Sequence, residues 1–236
     1  MKVSVCMASY NGAKYIKEQI DSILSQIGDD EEFIISDDHS TDTTIDIIKS
    51  INDKRIKLFA NEQQSGYSKN FENAIIRATG DVIFISDQDD VWKEGKVKEM
   101  LFALQNADMV ISDAEIVDEH LTSTYHSHFD LNGTRSGFWN NFLKTRYIGA
   151  CMAFKKEVLK KALPFPNNSN LCAYDYWLAI VSEYYFKVVL LNKAMIKYRR
   201  HGSNASSGGV SSNNSLLKKV KIRIYAMQEL LKRKNI

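Results

Sequence analysis

The chain has 236 residues, 44% of them apolar and 25% charged, with a formal net charge of +2 at pH 7. This is the composition of a globular protein that buries a core; it excludes a disordered chain, and no apolar run reaches the roughly 18 residues that span a bilayer. The three cysteines, Cys6, Cys151 and Cys172, are odd in number and far apart with no CxxC pair, which points to a reducing compartment and to core-filling roles.

Charge is unevenly placed. From Leu216 to Ile236 there are seven Lys or Arg against one Glu, leaving 24 basic and 28 acidic residues in the rest. No basic, apolar and small-residue series precedes the first strand-like segment, so no signal peptide is expected. The sequons at Asn132 and Asn204 then read as coincidences of a cytosolic sequence.

In chain order, "VSVCMA" (Val3 to Ala8) reads as a buried strand, and the next segment sets Ile16, Ile20, Ile23, Leu24 and Ile27 at helical spacing. "EFIIS" is a second strand and "TDTTIDIIKSI" a second helix, with Thr41 or Asp42 as N-cap. "RIKLFA" is a third strand, "SKNFENAIIRAT" a third helix closed by Gly80, and "DVIFIS" a fourth strand. This rhythm predicts βαβ units and a mostly parallel sheet covered on both faces. Past about residue 105 it breaks into "DMVISDAEIV", a polar and aromatic region to about Asn141, a strand "CMAF", a helix from Lys155, a helix "YDYWLAIVSEY", and two strands, "FKVVLL" and "AMIKYRR". The expected organisation is a regular half, 1–105, an irregular half, 106–204, that would supply acceptor or substrate contacts to it, a flexible loop over 205–215, and a basic amphipathic helix over 216–236.

In such sheets ligands bind beyond the carboxyl ends of the strands. The segments found there are Ser9-Tyr10-Asn11-Gly12, Asp37-Asp38-His39-Ser40 and Asp87-Gln88-Asp89-Asp90. Crowded carboxylates are costly unless a cation neutralises them, so a hard divalent metal, Mg²⁺ or Mn²⁺, sharing a diphosphate-bearing ligand is the natural reading. The bland alternative, that these acids cap helices, covers one Asp and not the cluster. Neither GxxxxGK[ST] nor GxGxxG is present, so a P-loop NTPase and a dinucleotide oxidoreductase lack support. His126 and His128 are spaced as ligands on one strand face, but no third ligand is evident nearby, and they read as surface or acceptor-site residues.

"SVCMASYNGAKYIKEQIDSILSQ", "IISDDHSTDTT", "GYSKNFENAIIRATGDVIFISDQDD" and "AYDYWL", in this order and spacing, resemble the signatures of the family-2 inverting glycosyltransferases of GT-A fold, from about Lys2 to about Asn204. "DQDDVW" with the later "YRRHGSN" is similar to a rhamnosyltransferase-like bacterial subset that builds polysaccharides. The resemblance implies a UDP- or dTDP-sugar donor, with Ala8, Tyr10 and Asn11 in the nucleotide pocket and Asp38 at the base, where a carboxylate can accept the imide N–H of uracil or thymine. Asp37 and Asp38 could instead cap the turn before the second helix. Lys69 would approach a phosphate or lie on the helix surface. Asp87 and Asp89 form the DxD, Asp89 as metal ligand and Asp87 toward the ribose or a water of the metal. Asp90 would orient the donor sugar or cap the next helix, and Trp92 packs. Asp175 matches the base that takes the acceptor proton, and it could also be the N-cap of its own helix. His201 would close over diphosphate and metal, an imidazole suiting Mn²⁺ better than Mg²⁺, with Arg199 and Arg200 near phosphate.

The implied partners are the sugar nucleotide and a saccharide or lipid-linked saccharide acceptor, at a cytoplasmic site or the inner face of the membrane. The last helix, with Leu217, Val220, Ile224, Met227, Leu230 and Leu231 along one side, could lie on an anionic membrane or pack on the body or a partner. Nucleic acid is disfavoured because the basic residues are confined to that helix. Two alternative readings are a noncatalytic nucleotide- or carbohydrate-binding module of the same fold and a metal-dependent nucleotidyltransferase.

Overall fold

The computed structural model describes residues 1–202 and 215–235. The sequon at Asn204 and the loop expected over 205–215 thus lie largely outside the described residues. The first half runs β1 (Val3–Ser9), α1 (Ile16–Leu24), β2 (Glu32–Asp37), α2 (Thr44–Ser50), β3 (Ile56–Ala60), α3 (Tyr67–Ile75), β4 (Val82–Ser86), β5 (Val91–Trp92) and α4 (Lys96–Leu104). The second half runs β6 (Met109–Val117), β7 (Ser123–Tyr125), α5 (His128–Asn132), α6 (Phe138–Lys144), β8 (Met152–Lys155), α7 (Leu159–Ala162), α8 (Tyr174–Tyr185), β9 (Val188–Arg199) and α9 (Leu216–Lys232).

One sheet has the order β3-β2-β1-β4-β8-β6-β9-β5, with β7 paired to β6. The first four strands are parallel, Cys6 on β1 lying between Ile34 of β2 and Ile85 of β4. β1, β2 and β4 are buried on both faces, which is why they read as continuous apolar runs with no alternation. Beyond β4 the expected parallel order gives way to a mixed one: β8 is antiparallel to both β4 and β6, and β5 is antiparallel to β9. Two antiparallel steps across β8 turn β6 to the direction of β4, and β9 is parallel to β6. The C-terminal ends of β1, β2, β4, β6 and β9 therefore reach the same edge of the sheet.

"FKVVLL" and "AMIKYRR" are not two strands but one, β9, whose register against β6 shifts on both sides of Asp113. The excess residues, including exposed Asn192 and Lys193, interrupt the apolar pattern and gave the appearance of a break. α2 starts at Thr44, later than expected, although Asp42 still accepts from the Thr44 N–H at 3.0 Å. α3 ends at Ile75, so Gly80 does not close it. A Cβ at Gly80 would overlap the backbone of Lys2 and Ser4 on entry to β1, which is the reason for glycine there. All three cysteines are buried and free, as expected.

At the other edge, Glu32 opens β2 and ties the strand starts together. Its carboxylate accepts from Ser4 Oγ at 2.5 Å, Thr79 N at 2.6 Å and Lys57 Nζ at 2.5 Å. Burial pushes the carboxyl upward, but these bonds win and hold it down at about 2.

Candidate active site

The site is assembled from the loops at the C-terminal strand edge. Asn11, after β1, sits in the left-handed region at φ 46°, which asparagine tolerates. Its Oδ1 accepts from Thr41 N at 2.8 Å, and its N–H donates to Ser40 Oγ at 2.9 Å, so the loops after β1 and β2 are locked together. Asp37 is an internal organiser of that turn: it accepts from Ser9 Oγ, Ser40 N and Ser40 Oγ, each at 2.7 Å. Asp38 accepts from Asn61 Nδ2 at 2.7 Å and Gly66 N at 2.8 Å; it is only part-buried, and each carboxylate oxygen keeps further acceptor capacity. Ala8 is partly buried and Tyr10 exposed beside it.

Gln88, which the sequence reading passed over, staples the first loop to the acidic one. Its amide accepts from Tyr10 N and donates to Tyr10 O, both at 2.9 Å. A Cβ on Gly12 would overlap that amide, so glycine is needed for the close approach.

Asp90 is fully buried and caps no helix, since α4 begins at Lys96 behind Gly95. One of its oxygens accepts from Arg199 N at 3.0 Å; the other, Oδ2, has no hydrogen-bond partner among the described residues. Asp89 Oδ2 lies 2.8 Å from His201 Nε2, and the His201 ring packs on Tyr15 with centroids 4.8 Å apart. Burial, then repulsion by Asp89 and Asp175, raises Asp87 to about 7; burial, Asp89 and Asp87 raise Asp90 well above the carboxylate range. Beneath them Lys96 is wholly buried, its ammonium donating to Ala150 O at 2.7 Å and lying 4.5 Å from the Trp92 ring centroid. Burial lowers it to about 8, against the opposing pull of Cys151, Asp90 and Asp87. No local signal marked this countercharge, since Lys96 opens α4 with Lys93 and Lys98 close by in the chain, and Trp92 packs as expected.

Asp175 stands in the first turn of α8, where Tyr176 N donates to it at 2.8 Å. It does not cap the helix, whose N-cap is Ala173. Burial raises its carboxyl above the usual range, and that backbone bond opposes the rise. Tyr174, stacked on Phe71 with centroids 4.2 Å apart and donating its N–H to Ser68 Oγ at 3.2 Å, fixes the start of α8 against α3. A Cβ at Gly149 would overlap the Tyr174 hydroxyl.

Two expected phosphate ligands are placed differently. Lys69 is neither on the surface nor open toward the strand edge: it pairs with Glu72 at 2.6 Å and donates to Phe165 O at 3.1 Å, with its side chain 13% exposed. Arg199 spends all three guanidinium nitrogens inside the protein, on Asp89 O, Glu119 O and Glu18, with Tyr15 stacked 4.5 Å away. It braces the acidic loop. Arg200 has its guanidinium near the Tyr198 hydroxyl, at 3.4 Å. His126 and His128 do not share a strand face: β7 ends at Tyr125, His126 is exposed and His128 is buried at the start of α5.

A cation fits the acidic cluster. It would complete the orphaned Asp90 oxygen's surroundings electrostatically and relieve the repulsion that raises Asp87 and Asp90. Among the described residues no three His, Cys, Asp or Glu side chains form a ready-made metal cage. A Mg²⁺-like ion needs none, because it takes few protein ligands and fills its shell from phosphate and water; Asp89 and His201 would supply the protein share.

The mixed sheet, with polar loops gathered at its C-terminal strand edge, is the framework of the GT-A fold. The sequence profile of Glycosyl transferase family 2 matches residues 4–163, and the chain belongs to that family. Among its relatives, an uncharacterised glycosyltransferase of a Nostoc species is 30% identical over 229 residues, 91% of this chain and 69% of the relative. An Escherichia coli enzyme, UDP-Glc:α-D-GlcNAc-diphosphoundecaprenol β-1,3-glucosyltransferase, is 26% identical over 87% of this chain and 79% of its own. In fold, the chain matches S. aureus TarS in complex with UDP at a TM-score of 0.72 and 20% identity, covering 98% of this chain and 66% of that one. It also matches a Pyrobaculum calidifontis mannosyltransferase in complex with GDP-Man and Mn²⁺ at 0.65 and 17%, covering 99% and 73%.

Proposed function

We propose that this glycosyltransferase moves a hexose or deoxyhexose from a UDP- or dTDP-sugar to a hydroxyl of a saccharide acceptor, with inversion, in bacterial polysaccharide synthesis. The observation that carries the reading is the acidic segment Asp87 to Asp90 directly after β4, at the C-terminal strand edge of a family 2 chain, with the carboxylate of Asp175 in the first turn of α8. Ala8, Tyr10 and Asn11 would line the nucleotide pocket, and Asp38 would accept the imide N–H of the base. Asp89 and His201 would hold a divalent ion, Mn²⁺ or Mg²⁺, which when bound offsets charge on the departing diphosphate. Asp90, being fully buried, would serve the donor site by bracing the acidic loop through the Arg199 N–H, where a direct contact with donor hydroxyls was expected.

Asp175 removes the acceptor proton on the face of the anomeric carbon opposite the diphosphate, and a single displacement inverts that centre. A carboxylate raised by burial is a stronger base than an exposed one, and it needs to accept the proton only late, as the oxocarbenium-like carbon takes up electron density. The E. coli relative acts on a diphosphoundecaprenol-linked sugar, which supports a lipid-linked acceptor at the cytoplasmic face of the membrane for this chain too. No helix among the described residues is long and apolar enough to cross a membrane.

The test is calorimetric titration of UDP, dTDP, GDP and CDP with Mn²⁺ and with EDTA, followed by transfer assays with sugars of the nucleotide that binds. Metal-dependent binding of UDP or dTDP and a product of inverted anomeric configuration are expected. Binding of none of the four would favour a noncatalytic module.

A further inference from the structure

α9 packs on the body through Ile222, Ala226 and Leu230, and Arg233 behind it donates to the carbonyls of Leu163 and Pro164. The apolar stripe expected on this helix is therefore split. Leu230 faces the core, while Leu217, Val220, Ile224 and Leu231 are exposed at spacings of three, four and seven. Beside them α6 presents exposed Trp139 and Leu143, one turn apart, and Arg223 donates to the Leu143 carbonyl, bringing the two helices together. An apolar surface of this extent ordinarily marks an interaction site.

Charge selects the occupant. Residues 133–147 and 216–228 carry seven cations, Arg135, Lys144, Arg146, Lys218, Lys219, Lys221 and Arg223, and no Asp or Glu; the remainder holds 24 basic and 29 acidic residues. The acids facing these helices are engaged, Glu183 by Tyr147 and Asn141 and Glu229 by Lys232. A second copy zipped along the stripe would set Lys221 and Arg223, which flank it, against the same cations. A surface of anionic lipid accepts both halves of the pattern, Trp and Leu at the headgroup level and Lys and Arg against the phosphates.

We propose that α6 and α9 together form a docking face for an anionic lipid bilayer. This rests on, and deepens, the reading of a lipid-linked acceptor. Tyr176, the neighbour of Asp175, donates to Phe142 O of α6 at 2.9 Å and has Arg223 of α9 over its ring. Docking would hold the base close to the plane in which the acceptor's lipid is anchored.

The experiment is co-sedimentation of the protein with phosphatidylcholine vesicles, with and without phosphatidylglycerol, while tryptophan emission is recorded. Trp139 is 65% exposed, whereas Trp92 and Trp177 are buried, so a blue shift reports Trp139 entering the interface. Salt-sensitive binding to the anionic vesicles only, with that shift, is expected. Changing Lys218, Lys219 and Lys221 together to Glu is expected to weaken it on the order of a hundredfold. L217Q/I224Q is expected to weaken it about tenfold through lost apolar contact. These positions are exposed, and circular dichroism melting checks that both variants fold. Failure to bind anionic vesicles, equal binding to neutral ones, or undiminished binding by both variants overturns the proposal. A dimer in sedimentation velocity that L217Q/I224Q abolishes would assign the face to a second copy. Vesicle binding requires neither donor nor turnover, so it stands or falls separately from the transferase assay.

Discussion

Asp175, Asp89 and Arg199 are three charged residues whose surroundings assign them different work, and substitutions can separate these roles. Asp175 is partly exposed beside the acidic cluster and is not needed to hold the loops. Asp175→Asn is expected to lower transfer by about 10²–10⁴ while UDP affinity by calorimetry stays within about twofold. Asp89→Ala removes a partner of His201, and metal-dependent binding of the nucleotide is expected to disappear; binding unchanged in EDTA and Mn²⁺ alike would take Asp89 out of the ion site. Arg199→Lys keeps the charge but cannot reach three acceptors at once. As a brace, it is expected to cost about 2–3 kcal/mol in urea unfolding; a raised donor KM with unchanged stability would instead return Arg199 to the phosphate.

At the scale of elements, the parallel strands are fastened at both ends by polar groups. On the edge away from the site, Glu32 joins β2 to β1, to β3 through Lys57 and to the turn before β4 through Thr79. Its carboxyl lies at about 2 in the folded protein against 4.5 unperturbed, so the native state holds this proton less tightly than the unfolded chain. The resulting stabilisation is complete above about pH 4.5 and is lost as pH falls through 2. Glu32→Gln is expected to cost about 2–3 kcal/mol at pH 7 and progressively less toward pH 2.5, read from urea midpoints across that range. On the site edge Gln88 is the corresponding fastener between the loops after β1 and β4. Gly12→Ala pushes on its amide, and it is expected to weaken nucleotide binding more than it lowers the melting temperature.

For the whole molecule, the acidic cluster stores repulsion that a bound metal and nucleotide would relieve. Nucleotide and Mn²⁺ together are expected to raise the melting temperature, by the equivalent of about 2.7 kcal/mol at a hundredfold excess over Kd, while each alone does much less. A thermal-shift matrix of UDP, Mn²⁺ and both measures this directly, and equal shifts from UDP with and without metal would count against a shared site.

The sequence by itself determined the strand and helix rhythm of the first half, because strands buried on both faces must be apolar throughout and their helices must be striped. It also located the acidic cluster, since polar residues at strand ends stand out against that background, whereas Asp175, in the first turn of a helix, was singled out only by the resemblance of its segment to a family signature. Tertiary structure alone decided the rest. β9 is one strand because pairing with β6 carries it across its irregularity, which no local pattern reveals. Lys69 and Arg199 look like phosphate ligands in one dimension, yet Glu72, Glu18 and the carbonyls of Asp89, Glu119 and Phe165 claim them in three. The last helix has apolar residues on two sides, and only packing against the body determined which were buried and which were left to face outward. Periodicity records that a residue can be buried; the partner that buries it is a long-range fact.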